Sequence, residues 1–516
     1  MSHYSRFLSI WMEFHNHLEK NSEKNSPDDL YGHPEDFSNF LAWLKRWYKV
    51  TGPEPSSVTG EVVLKTTVDG VPAPCLVSFS QGAETGFPCI KGITDRQGLG
   101  QFQIPAGTWT LRISHGLQVF PVCETLTVSP EHSLKKSYAL TAFFSLEGWL
   151  TGELHQHSIY SSPAYWGTDD VTDSPREIRE AIQAAGCDFS SLSDHHNILG
   201  HPLWRKETAS GFIPILSKEI STSNGHVLAT GVDHDVRYRI PSASQRNPET
   251  LRAEFLRVTG EIRDSGGVAQ LNHPYTESSS TSWPQAFNDQ LSCFDAMEIW
   301  NGAYPLFPGH YNHRGFQLWL ETLKQGVRLT GTSGSDTHNR FGDQYEEIKA
   351  ELFQIIRGLR SGQNPVPKEA QSRADLLLKM YETSYPPFMD WIREGLGAAC
   401  LRNYVYTGGE RSVEAILNAI RRGRVFVTNG PVMDLQVTQE GGAAAVNLRA
   451  AAIRPIKDLT FYFSDGRILR ETLTETSPGN YQYQSRLPVL RAQWLLCTIG
   501  EAPQSFAVSN PVDFSC

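Results

Sequence analysis

Leu154-His155-Gln156-His157 closes a run, 147–157, that reads as an extended strand, and the middle of the chain is organised around it. Side chains alternate along a strand, so His155 and His157 face the same way. Two imidazoles on one face, where a strand runs out, begin a metal site if other strands end in ligands. A second His-x-His, His15-Asn16-His17, falls in a helical pattern. Residues two apart on a helix diverge, so that pair reads as surface or packing histidines.

From Ser145 to about Gly430 the pattern repeats as strand, loop and helix. The candidate strands are Trp149–Gln156, Asp188–Ser193, Ile213–Ile220, Gly267–Asn272, Ala296–Trp300, Arg328–Gly334 and Arg424–Thr428. Helical patterns fall at Pro175–Ala185, opened by the N-cap Ser174, and at Pro248–Ser265, Arg314–Lys324 and Ser412–Arg422. Such alternation predicts an α/β fold with a mainly parallel sheet, closing as a TIM-like barrel over 145–430. Within it, 341–409 is poor in strand patterns and reads as an insertion, a lid or an oligomer contact.

The flanks have a different texture. Residues 1–52 carry two amphipathic helical patterns, and 51–57 is a Pro- and Ser-containing linker. Over 57–142, short alternating runs separated by Gly, Pro and Asp turns predict a β-sandwich, and 431–516 returns to the same texture. The stretch Thr94-Asp95…Gly98…Phe102…Pro105-Ala106-Gly107 resembles the transthyretin-like or carboxypeptidase-regulatory-like sandwich, which implies a structural or docking module.

Composition bounds the function. The net charge of −10 argues against a nucleic-acid surface, which needs a basic field. Eight scattered cysteines with no Cys-x-x-Cys read as reduced thiols. With no signal-peptide pattern and no membrane-length apolar run, the chain is expected to be soluble and cytoplasmic, with no membrane partner.

The strand ends carry the chemistry. After His155 and His157 come Ser193-Asp194-His195, Lys218-Glu219 with the returning Gly225-His226, Asn272-His273-Pro274, Met297-Glu298 and Ser335-Asp336-Thr337-His338. Each alone is a turn or a cap as readily as a ligand; their recurrence at one end of successive strands points to metal binding. Imidazole and carboxylate suit borderline divalent metals such as Zn, Mn or Fe, and no cysteine is placed to join them.

These motifs together resemble those of the PHP (polymerase and histidinol phosphatase) superfamily. The flanking β regions and the Ala419–Pro431 run resemble its carbaryl-hydrolase-like branch. The resemblance implies a distorted (β/α)7 PHP barrel flanked by two small sandwich-like domains, with a short N-terminal helical segment. It implies that His155, His157, Glu219 and Asp336 hold one metal, and that Glu219 bridges to a second held by His226 and His273. His195 and His338 would hold a third ion or serve the substrate. Related proteins commonly place an Asp or His a few residues beyond the His-x-His, whereas Ser158–Trp166 supplies none before Asp169 and Asp170. Two divalent ions are therefore expected, and the third is left open.

The reaction expected is hydrolysis of a small-molecule ester, foremost a phosphate mono- or diester, by a hydroxide bridging two divalent ions. Asp336, His195 and His338 are the candidate catalytic groups, a free histidine protonating the leaving oxygen. Lys218 and Arg340 are candidate anion-binding residues beside their rim-charge alternative. A carbamate or carboxylic ester is the rival substrate class. A non-catalytic, metal-stabilised binding protein is the rival role, disfavoured because eight candidate ligands exceed a closed structural set. Serine catalysis through Ser333 or Ser335 lacks the Gly-x-Ser-x-Gly spacing.

Overall fold

The computed structural model describes residues 58–80, 89–161, 171, 173–222, 224–239, 247–275, 282–302, 311–338, 340–341, 397–489, 491–501 and 505–514. The helical segment expected over 1–52 and most of the insertion expected over 341–409 lie outside the described residues. No described helix is long and apolar enough to cross a membrane.

The first strands are β1 (Thr59–Val68), β2 (Val71–Pro72), β3 (Leu76–Ser80), β4 (Cys89–Ile93), β5 (Leu99–Pro105), β6 (Gly107–Ser114), β7 (Val122–Val128) and β8 (Ser133–Leu140). They form two four-stranded sheets: β2-β1-β5 with β8 beside β1, and β4-β3-β6-β7. Alternate residues turn inward, so Val62 and Leu64 share one core with Phe79, Trp109, Leu111 and Ile113. Asp69 and Gly70 both take positive φ between paired Val68 and Val71. That is the requirement of a two-residue type I′ hairpin.

The central strands are β9 (Trp149–Glu153), β10 (Phe189–Leu192), β11 (Ile213–Thr222), β12 (Gly225–Thr230), β13 (Val268–Asn272), β14 (Ala296–Asn301), β15 (Thr330–Gly334), β16 (Arg402–Tyr406) and β17 (Val425–Thr428). The C-terminal ones are β18 (Val432–Glu440), β19 (Ala443–Ala451), β20 (Asp458–Phe463), β21 (Ile468–Thr472), β22 (Thr474–Ser477), β23 (Asn480–Pro488), β24 (Trp494–Glu501), β25 (Ser505–Ser509) and β26 (Val512–Asp513). One 14-stranded sheet runs β15-β14-β13-β12-β11-β10-β9-β16-β17-β25-β24-β20-β21, with β26 beside β24.

This sheet corrects the distorted (β/α)7 barrel expected from the strand–helix alternation. Among the described residues 46% are strand and 19% helix, which is not a helix-rich barrel. Within this sheet the parallel strand pairs are β9–β10–β11 and β13–β14–β15, and a parallel bridge joins Gln156, past β9, to Thr337, past β15. Between them β11–β12 and β12–β13 pair antiparallel: Gly225 at φ 107° lets β12 return at once from β11, and the helix Pro248–Asp264 lies between β12 and β13. On the other side of β9, β16 and β17 pair antiparallel, and β25 then joins β17. The sheet thus continues into the C-terminal region. β18-β19-β23-β22 forms a separate four-stranded sheet.

Helices Pro175–Ala184, Pro248–Asp264, Tyr311–Lys324 and Val413–Arg421 are present. The first is opened by a capping box, with Ser174 and Glu177 each satisfying the other's backbone N–H. The core beneath the site joins the last three of these helices to the sheet through Phe255, Ile262, Trp319, Leu320 and Ile420, while Ile178, Ala181 and Ile182 of the first pack in a separate cluster with Leu192, Trp204 and Phe212.

β15 ends the strand path, and its outer edge is completed by side chains. Asn403 accepts from Ser333 N at 2.9 Å and donates to Ser333 O at 2.7 Å. Asn510 accepts from Gly331 N at 2.7 Å and donates to Gly331 O and Val425 O at 2.8 and 2.9 Å. Both asparagines are buried. Each primary amide mimics the donor–acceptor pair of a neighbouring strand, so the buried edge keeps no orphan groups there. Asn403→Ala is expected to destabilise the fold by about 2–4 kcal/mol, since it strands one buried N–H and one C=O. Urea unfolding checks this; an unchanged midpoint would sink the edge-pairing account.

Candidate metal centre

The site is built where strands run out. Past the end of β9, His157 N donates to Thr337 O at 3.0 Å and Asp336 N to His155 O at 2.8 Å. This short backbone pairing brings the His-x-His beside Asp336 and His338. Beyond β10, His196 N donates to Glu219 O at 3.0 Å, which sets His195 alongside Glu219. Antiparallel register lines up Ser221, His226 and Asn272 across β11, β12 and β13, and His273 follows directly. Asp336 and His273 hold φ of 50° and 25°, so both ligand-bearing turns are in the sparsely populated left-handed region.

The structure brings all eight sequence-predicted ligands together. They fall into four overlapping triads: His155–His157–Asp336, His155–Glu219–His273, His195–Glu219–His226 and His157–His195–His338. All are buried except Asp336 and His338, which are partly exposed. Glu219 is the hub. Its Oε1 lies 3.3 Å from His155 Nε2, 3.0 Å from His226 Nδ1 and 3.3 Å from His273 Nε2. Its Oε2 lies 2.9 Å from His195 Nδ1 and 3.6 Å from His157 Nε2. Asp336 Oδ1 lies 3.2 Å from His155 Nε2 and 3.1 Å from His157 Nε2.

These spacings suit ions, although His157 Nε2–Asp336 Oδ1, His226 Nδ1–Glu219 Oε1 and His273 Nε2–Glu219 Oε1 also have hydrogen-bond geometry. Glu219 Oε2 and His155 Nε2 are buried and make no hydrogen bond, although Glu219 Oε2 stands 2.9 Å from His195 Nδ1 and His155 Nε2 stands 3.2 Å from Asp336 Oδ1; His226 Nε2 and His273 Nδ1, the other ring nitrogens of the two histidines bonded to Glu219, are likewise buried without a hydrogen bond. Lone pairs facing each other this closely repel unless a cation lies between them. Two ligand atoms each bound at about 2.0–2.1 Å to one ion sit about 2.9–3.4 Å apart, depending on geometry. The residues therefore fit divalent metal ions.

The charges agree. Burial works against a proton on His155, but Asp336, Glu298 and Glu219 outweigh it and hold its pKa well above the usual value. Burial also opposes ionised Glu219 and Asp336, yet the surrounding imidazoles, His155 foremost, hold both well below the normal carboxylate range. The centre demands positive charge, which a metal supplies more completely than one proton. His157 and His226 are pushed down to about 4, chiefly by burial. They are then neutral imidazoles near pH 7, the form that ligates.

The two candidate anion-binding residues are each engaged with carboxylates. Lys218, offered as an anion-binding residue, lies one position from Glu219 and is turned to the other face of β11. It donates to Asp235 Oδ1 at 2.5 Å and Val236 O at 2.8 Å. Arg340 pairs with Glu177 at 3.0 Å and Asp173 at 3.5 Å. Asp169 and Asp170 lie outside the described residues.

Glu298, at a strand end in the sequence, belongs to neither the ligands nor the catalytic groups that the motifs suggest. It accepts from His155 Nδ1 at 3.0 Å and from His273 N at 2.9 Å. Its signal was an acid inside an otherwise apolar strand. Asp194, read as part of a motif, serves locally by accepting from Ser158 N and Oγ at 2.6 and 2.8 Å.

No protein-family model matches the chain, and no curated protein matches it; the superfamily resemblance rests on the motif residues. Solved structures similar over part of the chain include the following three. The TIE protein of Bacillus anthracis shows 21% identity over 20% of each chain, with a TM-score of 0.15. An amidohydrolase from Chromobacterium violaceum, solved with sulfate and no metal, shows 18% identity over 36% of this chain and 87% of that one, with a TM-score of 0.25. A 9R-lipoxygenase from Cyanothece shows 14% identity over 28% of this chain and 25% of that one, with a TM-score of 0.11. The chain thus spans 20% of the Bacillus protein's length. At these TM-scores none of the three defines the fold here.

Gly334 is a close-approach glycine: a Cβ on it would overlap His155 Cβ and Glu298 Oε1. Gly334→Ala is expected to displace His155 and to lower metal affinity by about tenfold or more. Metal content after dialysis against a chelator series measures this; retention equal to wild type would contradict the packing.

Proposed function

We propose that this chain is a metal-dependent hydrolase of small organic esters, with phosphate mono- or diesters as the first substrate class. The observation that supports it is the sharing of ligands between triads: His155 and Glu219 each belong to two. Shared ligands put ions near enough to act on one reacting group, and bound divalent ions would supply an ionised water and positive charge for the transition state. His155, His157, Glu219, His226, His273 and Asp336 would hold two ions. His195 and His338 would hold a third or donate a proton to the leaving oxygen. The partly exposed Asp336 and His338 mark the side from which substrate would approach. The buried remainder, with Glu298 and Asn301 behind it, keeps water from the back of the site.

A carbamate or carboxylic ester is the second reading, and one observation favours it. Lys218 and Arg340, proposed to bind an anionic group, are both engaged with carboxylates. A neutral carbonyl substrate needs no such cation.

A panel of phosphomonoesters, phosphodiesters, carbamates and aryl esters, assayed with zinc-, manganese- or iron-loaded protein, separates the two. One class should exceed the others by orders of magnitude in kcat/KM. Asp336→Asn is expected to lower that value about a thousandfold, roughly 4 kcal/mol of transition-state stabilisation. Full activity in that variant would refute the proposal.

A further inference from the structure

Behind the ligands, on β14, two polar side chains contact three of them at once. Glu298 Oε1 accepts from His155 Nδ1 at 3.0 Å, and Glu298 Oε2 accepts from His273 N at 2.9 Å. Asn301 Nδ2 donates to Glu298 Oε2 at 3.0 Å and to Asp336 Oδ2 at 3.2 Å. Asn301 is itself held by the start of the helix Tyr311–Lys324. Asn301 N donates to Asn312 Oδ1 at 3.0 Å, Asn312 Nδ2 donates to Asn301 O at 2.9 Å, and Tyr311 Oη donates to Asn301 Oδ1 at 3.1 Å. Glu298, Asn301, Asn312 and Tyr311 are all buried.

Residues three apart on a regular strand face opposite sides. Here the β14–β15 register shifts between Glu298 and Trp300, so that Glu298 pairs with Thr332 and Trp300 with Ser333. Ile299 is the extra residue of a β-bulge, and it restores the parity that lets Glu298 and Asn301 work on one face. The bare backbone of Gly334, opposite Asn301, leaves room for the Glu298 carboxylate against His155.

We propose that Glu298 and Asn301 form a positioning relay that orients His155, His273 and Asp336, ligands carried by three other strands, and fixes the tautomer of His155. A carboxylate offers only acceptors, so Glu298 requires the proton of His155 on Nδ1 and leaves the Nε2 lone pair free toward Glu219 and Asp336. The backbone bond to His273 N pins a turn that has strained φ. The Asn301 bond leaves Asp336 Oδ1 to face His155 and His157. All three oriented residues belong to the two triads that contain His155. The relay rests on the metal-centre reading and adds positioning residues to it.

Glu298→Gln keeps size but gives 298 one acceptor and one donor, so an amide N–H must face either His155 Nδ1 or His273 N. Metal-free wild-type and variant protein would be titrated with Co²⁺, followed by visible absorption and by total cobalt after gel filtration. The relay predicts that E298Q binds the cobalt held by the His155 triads about 10–100-fold more weakly, with an altered ligand-field band. Wild-type affinity and spectrum in E298Q would overturn the relay alone. Failure of the wild type to take up any cobalt would instead overturn the metal centre. If E298Q does not fold by circular dichroism, Tyr311→Phe carries the test. It removes only the hydroxyl that holds Asn301, so a severalfold loss of cobalt affinity supports the relay and an unchanged affinity overturns it.

Discussion

The carboxylate of Glu219 is the constraint on which the middle of this molecule depends. A buried ion costs several kcal/mol unless matched, and Glu219 is matched by ring nitrogens of five histidines from around the sheet. Asn272 Nδ2 adds a donor to its Oε1 at 2.8 Å. Strand order, the hairpin at Gly225 and the pairing of 155–157 with 336–337 can all be read as ways of bringing those nitrogens to one carboxylate. Removing charge at the centre would leave the imidazoles crowded. Removing imidazoles would leave the carboxylate uncompensated. A cation would resolve both problems, so the packing of the centre is suited to holding metal ions.

Much of the site was legible because ligands sit where strands stop, and strands are visible as short apolar runs. The positions of β9, β10, β11, β13, β14, β15 and β17 follow from the sequence within a few residues, and eight candidate ligands converge. The topology was not legible. Alternation of strand and helix patterns suggests parallel crossovers, but it cannot show that β16 will pair antiparallel with β9 or that β17 will recruit β25 from beyond residue 500. Those pairings are long-range, and no local propensity encodes them.

Residues that support the ligands were harder to read than the ligands. Glu298 lies between Met297 and Ile299, and simple alternation places it and Asn301 on opposite faces. Only the bulge at Ile299 puts them together, and a bulge leaves no mark in composition. Lys218 shows the converse error: nearness in sequence to Glu219 suggested a shared role, while the period of two on β11 sends it to Asp235 instead.

The asparagine-lined edge of β15 also has a consequence in time. Gly331 and its partner Asn510 are 179 residues apart, and Ser333 waits 70 residues for Asn403. During synthesis, the strand leading into Asp336 and His338 emerges with open backbone groups long before either amide exists to cover them. Such an edge is a template for pairing with the wrong chain. The nascent protein therefore has a stretch of elongation in which the outer edge of this strand is still uncovered.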